Sequence, residues 1–303
     1  MAITAQDVKN LREMTGVGMM DCKKALAASD GDMDKAIEWL REKGLAASAK
    51  KAGRIAAEGM AYSCVIDGVG VVVEVNAETD FVGKNEKFVD FVKGVAATVA
   101  ACAPADLDAL MECKYNGTDL TVTQQQQEMV LVIGENIKVR RFARYADGVS
   151  VPYIHAGGKI GVMVNLEVTG GIDATEIGKD MAMQIAALNP RFLDKSQVTQ
   201  EVLDEEKKIL LAQMANDPKM ANKPDKVKEN IVAGKLNKFY SENCLLQQTF
   251  VKDNEVTVEQ YVAAAAKKLG GTITLKDAVR FEKGEGIEKK QENFAEEIAK
   301  LAK

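Results

Sequence analysis

One histidine, His155, is all that 303 residues supply, and that scarcity removes much nucleophilic and metal chemistry at once. A Ser-His-Asp triad would have to use it, and no G-x-S-x-G elbow accompanies it. A lone histidine near a strand end is far more often structural or interfacial than catalytic. The five cysteines (Cys22, Cys64, Cys102, Cys113, Cys244) are odd in number, scattered, and contain no C-x-x-C pair. Neither a zinc site nor a disulfide framework is expected, and reduced thiols of a cytosolic protein are the natural account. No P-loop occurs, because the glycines before Lys84, Lys159, Lys179 and Lys235 lack a partner glycine five residues earlier. Gly68-Val69-Gly70 falls in a hairpin turn rather than at a helix start, so it is a poor dinucleotide fingerprint. The carboxylate pairs Glu205-Glu206 and Glu296-Glu297 belong to solvated helical faces. No run of about 18 uncharged apolar residues is present to span a bilayer. The opening MAITAQDVKN reads as neither a secretory signal nor a transit peptide.

Basic charge is also in short supply. The net charge is −5 and the pI about 5.3, which argues against a protein whose main task is holding nucleic acid. Residues 1–54 carry ten Lys/Arg against eight Asp/Glu, so the acidity lies in the rest. That small local excess suits docking on an acidic protein surface. With 47% hydrophobic residues the chain can bury a sizeable core, in two or three domains. These absences favour a binding protein.

What is present starts with helices. Thr4 and Asp7 have the spacing of a capping box, and Val8, Leu11 and Met14 follow at helical intervals. Gly16 and Gly18 break that helix, and a second is predicted over 20–28. Asp30-Gly31-Asp32 turns the chain into a third, which Gly44 should close as the residue after its C-cap. The Ala-, Lys- and Gly-rich stretch AASAKKAGRIAAEG then reads as a linker or a short exposed helix. AYSCVI and VVVEVN, flanking Asp67-Gly68-Val69-Gly70, predict a β-hairpin. Helices follow at 87–101 and 124–134, with a short helix and a loop between them. Residues 137–168 read as a meander of three strands turning at Asp147-Gly148 and Gly157-Gly158. A helix at 176–187 stops at Asn189-Pro190. From 198 to 240 the pattern predicts a projecting antiparallel helical hairpin interrupted at Asp217-Pro218, its stripe made by Val202, Leu203, Ile209, Leu210, Val227, Ile231 and Leu236. A helix at 257–269, a strand at 272–282 and a terminal helix at 291–302 complete the reading. One internal echo stands out: Gly70-VVVEVNAETDF before a helix, and Gly161-VMVNLEVTGG before another. It suggests two similar α+β subdomains.

LREMTGVGMMDCKKAL at 11–26 is very similar to the N-terminal signature of the elongation factor Ts family, and NAETDFVGKN at 76–85 to its second signature. IGENIKVRRF (133–142), HAGGKIGV (155–162) and RFEKGEGIEK (280–289) also resemble it, in the family's order. The resemblance covers essentially the whole chain. It implies an α+β fold of five parts. They are a three-helix ubiquitin-associated-like domain (1–54), two core subdomains (55–140, and 141–188 with 241–288), a coiled-coil hairpin (189–240) and a C-terminal helical module (289–303). It implies a cytoplasmic nucleotide exchange factor without covalent chemistry or cofactor. Its partner would be the GTPase elongation factor Tu, with no direct nucleic acid and no membrane.

Residue roles come from the same resemblance. Thr79-Asp80-Phe81-Val82 resembles the segment that intrudes beside the partner's Mg²⁺ site. Read locally, a Phe after an Asp just past a strand is instead a core residue beneath a capped helix. Arg12, Met19, Met20 and Lys23 match the N-terminal contacts. Met19 and Met20 cannot both face one helical core, so at least one should be exposed. His155, Phe250 and Val251 match further contacts. The rival reading is an adaptor or scaffold with a ubiquitin-associated-like domain and no effect on nucleotide.

Overall fold

In the computed structural model the described residues are 3–217, 220 and 223–288. The terminal helix expected at 291–302 and the module at 289–303 lie outside them.

The N-terminal unit is built by local signals. Thr4 caps α1 (Ala5–Thr15) in a reciprocal box: its side chain accepts from the Asp7 N–H while the Asp7 carboxylate accepts from the Thr4 N–H at 2.9 Å. Gly16 ends the helix in the left-handed region, φ 70°. Helix α2 (Met19–Ala28) follows, then α3 (Met33–Lys51), capped by Asp32. Leu11, Cys22, Leu26, Ala36 and Leu40 form the small core. Gly44 does not end α3, which continues two turns past it. A Cβ on Gly44 would sit 3.3 Å from the Gln127 carbonyl of α6 (Val122–Ile133). The glycine permits a close helix crossing, and Leu131 and Val132 of α6 complete the N-terminal core.

Two three-stranded antiparallel sheets follow. The first has the order β1-β2-β3 (Glu58–Ile66, Val69–Ala77, Lys138–Tyr145). The second has the order β4-β5-β8 (Val149–His155, Ile160–Thr169, Thr272–Glu282). They pack face to face through Ala61, Val72, Met163 and Phe281. Helix α4 (Glu86–Cys102), α5 (Leu107–Glu112) and α6 cover the outer face of the first sheet. Helix α7 (Thr175–Leu188) and α10 (Val258–Leu269) cover the second. Side-chain alternation fits this layering. Val71, Val73 and Val75 meet Phe88, Phe91 and Val95 of α4, while Val72 points to the other sheet. A central strand buried on both faces explains why VVVEVN reads as a nearly continuous apolar run.

The internal echo corresponds to β2 and β5, each the middle strand of its sheet, each followed by the helix that covers it. The three-strand meander is corrected. β3 pairs with β2, whereas β4 pairs with β5. The chain therefore crosses from one sheet to the other at Asp147-Gly148. Local strand patterning reports extended backbone and says nothing of its pairing partner.

The expectation of five reduced thiols also fails. Cys102 ends α4, Cys113 caps α5, and the two form a disulfide across Cα atoms 6.6 Å apart. Cys22, Cys64 and Cys244 are free. Reducing the bridge is expected to lower stability by about 2–3 kcal/mol, the loop-closure value for so short a ring. Urea unfolding with and without reductant checks this; coincident midpoints would show that the bridge contributes nothing.

Helices α8 (Gln200–Ala215) and α9 (Asp225–Asn243) form the hairpin. Leu210 and Met214 meet Val232 toward the tip, and Val198 and Val202 meet Phe239 at the base, so the helices run antiparallel. Ile209 and Val227, expected in the stripe, are exposed instead. Beyond the hairpin, β6 (Thr249–Phe250) and β7 (Asp253–Thr257) form a two-stranded ribbon.

Candidate partner-binding surface

Strand β2 ends at Ala77, and the chain makes a tight turn before one 3₁₀ turn over Val82–Lys84 and α4. Asn85 caps α4 by accepting from the Lys87 N–H at 3.0 Å. Within this turn Val82 enters the core beside Phe88. Phe81 goes the other way. Its side chain is 80% exposed, the highest value among the described large hydrophobic residues. The local reading of Phe81 as a core residue is thereby overturned, and its neighbour Val82 takes that place. Thr79 and Asp80 are exposed as well.

The turn is pinned at both ends. On the far side, Gly83 lies against the Gly59 backbone so closely that a Cβ there would sit 2.8 Å from the Gly59 carbonyl oxygen. On the near side, the Glu135 carboxylate accepts from the N–H groups of Glu78 and Thr79, each at 3.0 Å, and from the Thr79 hydroxyl at 2.7 Å. The Glu78 carboxylate in turn accepts from the Asn136 N–H at 2.6 Å. Asn136 is buried and donates its side-chain amide to the Arg54 carbonyl at 2.7 Å. A shallow groove beside the Phe81 ring is lined by Thr79, Val82, Lys87, Val132, Ile133 and Glu135.

The N-terminal residues sit next to this loop through one contact. Lys87, in the first turn of α4, donates to the Gly16 carbonyl at 3.0 Å. Gly16 is the turn between α1 and α2, so the start of α4 is joined to the start of α2. Met19 and Met20 there are 53% and 66% exposed, and Met14 and both basic residues, Arg12 and Lys23, are exposed too. Met19 and Met20 lie one helical turn from Lys23 on α2, and exposed methionine side chains beside a cation make an adaptable apolar surface. Cys22, beneath it, is buried; desolvation pushes its thiol up, which suits a packing role rather than a reactive one.

His155 ends β4, exposed, with its Nδ1 3.0 Å from the Tyr153 hydroxyl. The following turn docks on β1, where the Ala61 N–H donates to the Gly158 carbonyl at 2.8 Å. Gly59 meets the Phe81 turn and Ala61 meets the His155 turn, so both flank the start of β1. Phe250 and Val251 are held apart from this group, on the two-stranded ribbon beside the second sheet. Phe250 is buried, stacked on Tyr261 with centroids 4.2 Å apart, while Val251 is exposed. The buried Gln184 side chain accepts from the Val251 N–H at 2.8 Å, and Asp180 binds Lys252 at 2.6 Å. Phe250 thus seats Val251.

Reading along the chain missed the clasp residues Glu78, Glu135, Asn136 and Lys87. Their signal was membership alone: Glu78 falls inside the 76–85 stretch, and Glu135 and Asn136 inside the 133–142 stretch. It also missed Glu74, a fully buried carboxylate between the sheets. Glu74 accepts from Arg140 at 2.9 Å, Arg141 at 2.5 Å, Asn76 at 3.0 Å and the Gly284 N–H at 2.8 Å. Gly284 has φ 71°, and a Cβ there would collide with the Ala57 carbonyl. This explains the glycine in KGEG, and it ties the end of β8 to the first sheet.

Among the described residues no group of three or more His, Cys, Asp and Glu is placed to hold a metal ion. No described helix is long and apolar enough to cross a membrane. The arrangement offers apolar surface on a braced frame. The family described as Elongation factor TS matches residues 78–285. The chain is 46% identical to elongation factor Ts of Syntrophotalea carbinolica over 100% of both chains. It is 49% identical to that of Clostridium kluyveri, over 98% of each chain, and 46% to that of Magnetococcus marinus, over 99% of each. With a braced turn presenting Thr79, Asp80 and Phe81 and similarity running end to end, this chain belongs to the elongation factor Ts family.

Proposed function

We propose that this protein binds elongation factor Tu carrying GDP, promotes GDP release by disturbing the Mg²⁺ and phosphate site, and stays bound until GTP enters. The observation that carries the reading is Phe81, an aromatic ring held out in solvent on a turn pinned at both ends. Burying such a ring in a partner is worth about 1.5–3 kcal/mol before shape effects. Wedged between packed helices of the GTPase, it shifts the groups that position Mg²⁺. Mg²⁺ neutralises charge on the β-phosphate, so its displacement weakens GDP binding. The protein works in the cytoplasm, needs no cofactor, and makes no covalent bond.

The three-helix unit, as a ubiquitin-associated-like domain, docks on the nucleotide-binding domain through Arg12, Met19, Met20 and Lys23. His155 and Val251 add contacts from the core. Met19→Lys together with Met20→Lys is expected to weaken binding to nucleotide-free elongation factor Tu at least tenfold, about 1.4 kcal/mol or more. Both side chains are exposed, so the melting temperature should stay put. Calorimetric titration reads the first and thermal unfolding the second.

Linkage supplies the test of the whole reading. A protein that lowers the GTPase's affinity for GDP must bind the GDP-loaded form more weakly by the same factor. Titration into nucleotide-free and GDP-saturated elongation factor Tu should give widely different affinities. Equal affinities would identify a simple adaptor.

A further inference from the structure

Two peptide N–H groups and a hydroxyl converge on one carboxylate, Glu135, from the two residues that precede Asp80-Phe81. Glu135 itself stands on firm ground. Gly134 ends α6 in the left-handed region, φ 89°, and Ile137 is buried two residues later. The side chain therefore leaves a fixed backbone position and reaches 56 or 57 residues back along the chain. The clasp is reciprocal, since the Glu78 carboxylate returns a hydrogen bond to the Asn136 N–H.

Of the turn's own side chains, Glu78 adds a tie at the N-terminal end, to the Asn136 N–H at 2.6 Å and to Arg54 at 3.4 Å. Between the clasp at 78–79 and the anchor at Val82-Gly83 lie only Asp80 and Phe81. A ring exposed to this degree makes few contacts of its own, so its direction is set by the backbone on either side. We propose that Glu135 is a positioning residue for exchange: its carboxylate fixes the 78–79 backbone, and with it the direction in which Phe81 is presented. The inference rests on the exchange reading above. A turn already ordered in the free protein loses less conformational entropy when the ring enters the partner. Without the carboxylate the turn must be ordered during binding, and the ring spends part of its time pointing elsewhere.

The second subdomain offers an internal contrast. There β5 reaches α7 through Gly170-Gly171, where Asp173 accepts only locally, from the Thr175 N–H at 2.9 Å, and no ring projects. The clasp accompanies the ring.

The test uses the full chain and elongation factor Tu loaded with a fluorescent GDP. Glu135→Ala removes all three acceptor contacts and is expected to slow stimulated release about tenfold, or 1.4 kcal/mol. Glu135→Gln keeps one carbonyl acceptor for the two N–H groups, and the Thr79 hydroxyl can turn to accept from the new amide. It should recover most of the rate. Thr79→Val, which deletes one bond and keeps the side-chain shape, should give an intermediate loss even if Glu135→Ala folds poorly. In a Phe81→Ala background Glu135→Ala should change the rate less than twofold, because its effect passes through the ring. A merely structural contact would not show that coupling. Amide hydrogen exchange at Glu78 and Thr79 should accelerate in Glu135→Ala while exchange in β2 is unchanged.

Wild-type acceleration that is lost in Phe81→Ala but kept in Glu135→Ala and Thr79→Val would overturn the positioning role alone. Additive losses in the double variant would overturn it too. No acceleration by the wild-type chain would remove the exchange reading, and this inference with it.

Discussion

Phe81→Ala should leave the protein as stable as before and slow stimulated GDP release about 30-fold or more, the cost of truncating an aromatic hot spot worth at least 2 kcal/mol. The two halves of that expectation have separate causes. The ring is 80% exposed, so its removal opens no cavity. The backbone at Phe81 is helical, with φ −61° and ψ −42°, which alanine adopts freely. Stability should therefore shift by no more than about 0.5 kcal/mol. Under the proposed mechanism the same ring enters the partner, and truncation would remove its surface from the place where it is proposed to separate packed groups. Stopped-flow release and thermal unfolding of the same variant measure both halves. Val82→Ala is the instructive neighbour. Its side chain lies in the core beneath α4, so stability should fall there. Unchanged release in Phe81→Ala would remove the wedge.

The second large effect concerns stability. Glu74→Gln should destabilise the fold by about 3 kcal/mol, because it leaves Arg140 and Arg141 facing a neutral group in a buried network. Glu74 is fully inaccessible and its partners are only part-exposed, so water offers little compensation. Arg141 keeps Glu285 at 3.0 Å, which limits the loss. The pH dependence has a definite sign. Burial pushes the Glu74 carboxyl up, but the Gly284 N–H, Arg140, Asn76 and Arg141 together outweigh it, and the native pKa lies below its ordinary value. A carboxylate depressed in this way contributes stability that is complete above the unfolded value, about 4.3. The contribution is lost as pH falls through the lower native value. Wild type should therefore lose stability on acidification below about pH 4.3. Glu74→Gln should lose less over the same range, so the two unfolding curves approach one another. Parallel curves from pH 6 down would contradict the assignment.

Much of the fold was legible because its causes are local. The Thr4–Asp7 box is a three-residue spacing, and β8 occupies the 272–282 span that its pattern predicts. What sequence reading missed depends on residues far away. A glycine that caps a helix and one that lets two helices cross look alike, and only the Gln127 backbone of α6 distinguishes Gly44. The pairing of β3 with β2 rather than β4 is likewise set across some 70 residues. Cys102 and Cys113 follow no motif spacing; the ends of α4 and α5 bring them together.

The candidate site shows the same division. Local physics placed Phe81 inside, since an aromatic after a strand usually packs under the next helix. One residue decides otherwise: the 3₁₀ turn begins at Val82, which takes the inward position. Resemblance, not periodicity, singled out Phe81. For Met19 and Met20, helical geometry required at least one exposed side chain, and both are exposed. Glu135 could be read only as a member of the 133–142 stretch, because hydrogen bonds to backbone N–H groups leave no trace in residue pattern. Glu74 had a visible sign, an acid in the middle of VVVEVN. An inward carboxylate demands a cation, and Arg140-Arg141 supply two.

The most direct measurement is release of fluorescent mant-GDP from purified elongation factor Tu, followed by stopped flow with and without this protein. The released fraction should grow much faster as the protein is added, with the rate rising to saturation as the ternary complex forms. Release at the same rate with and without the protein, in a mixture where binding is independently detected, would contradict the exchange function.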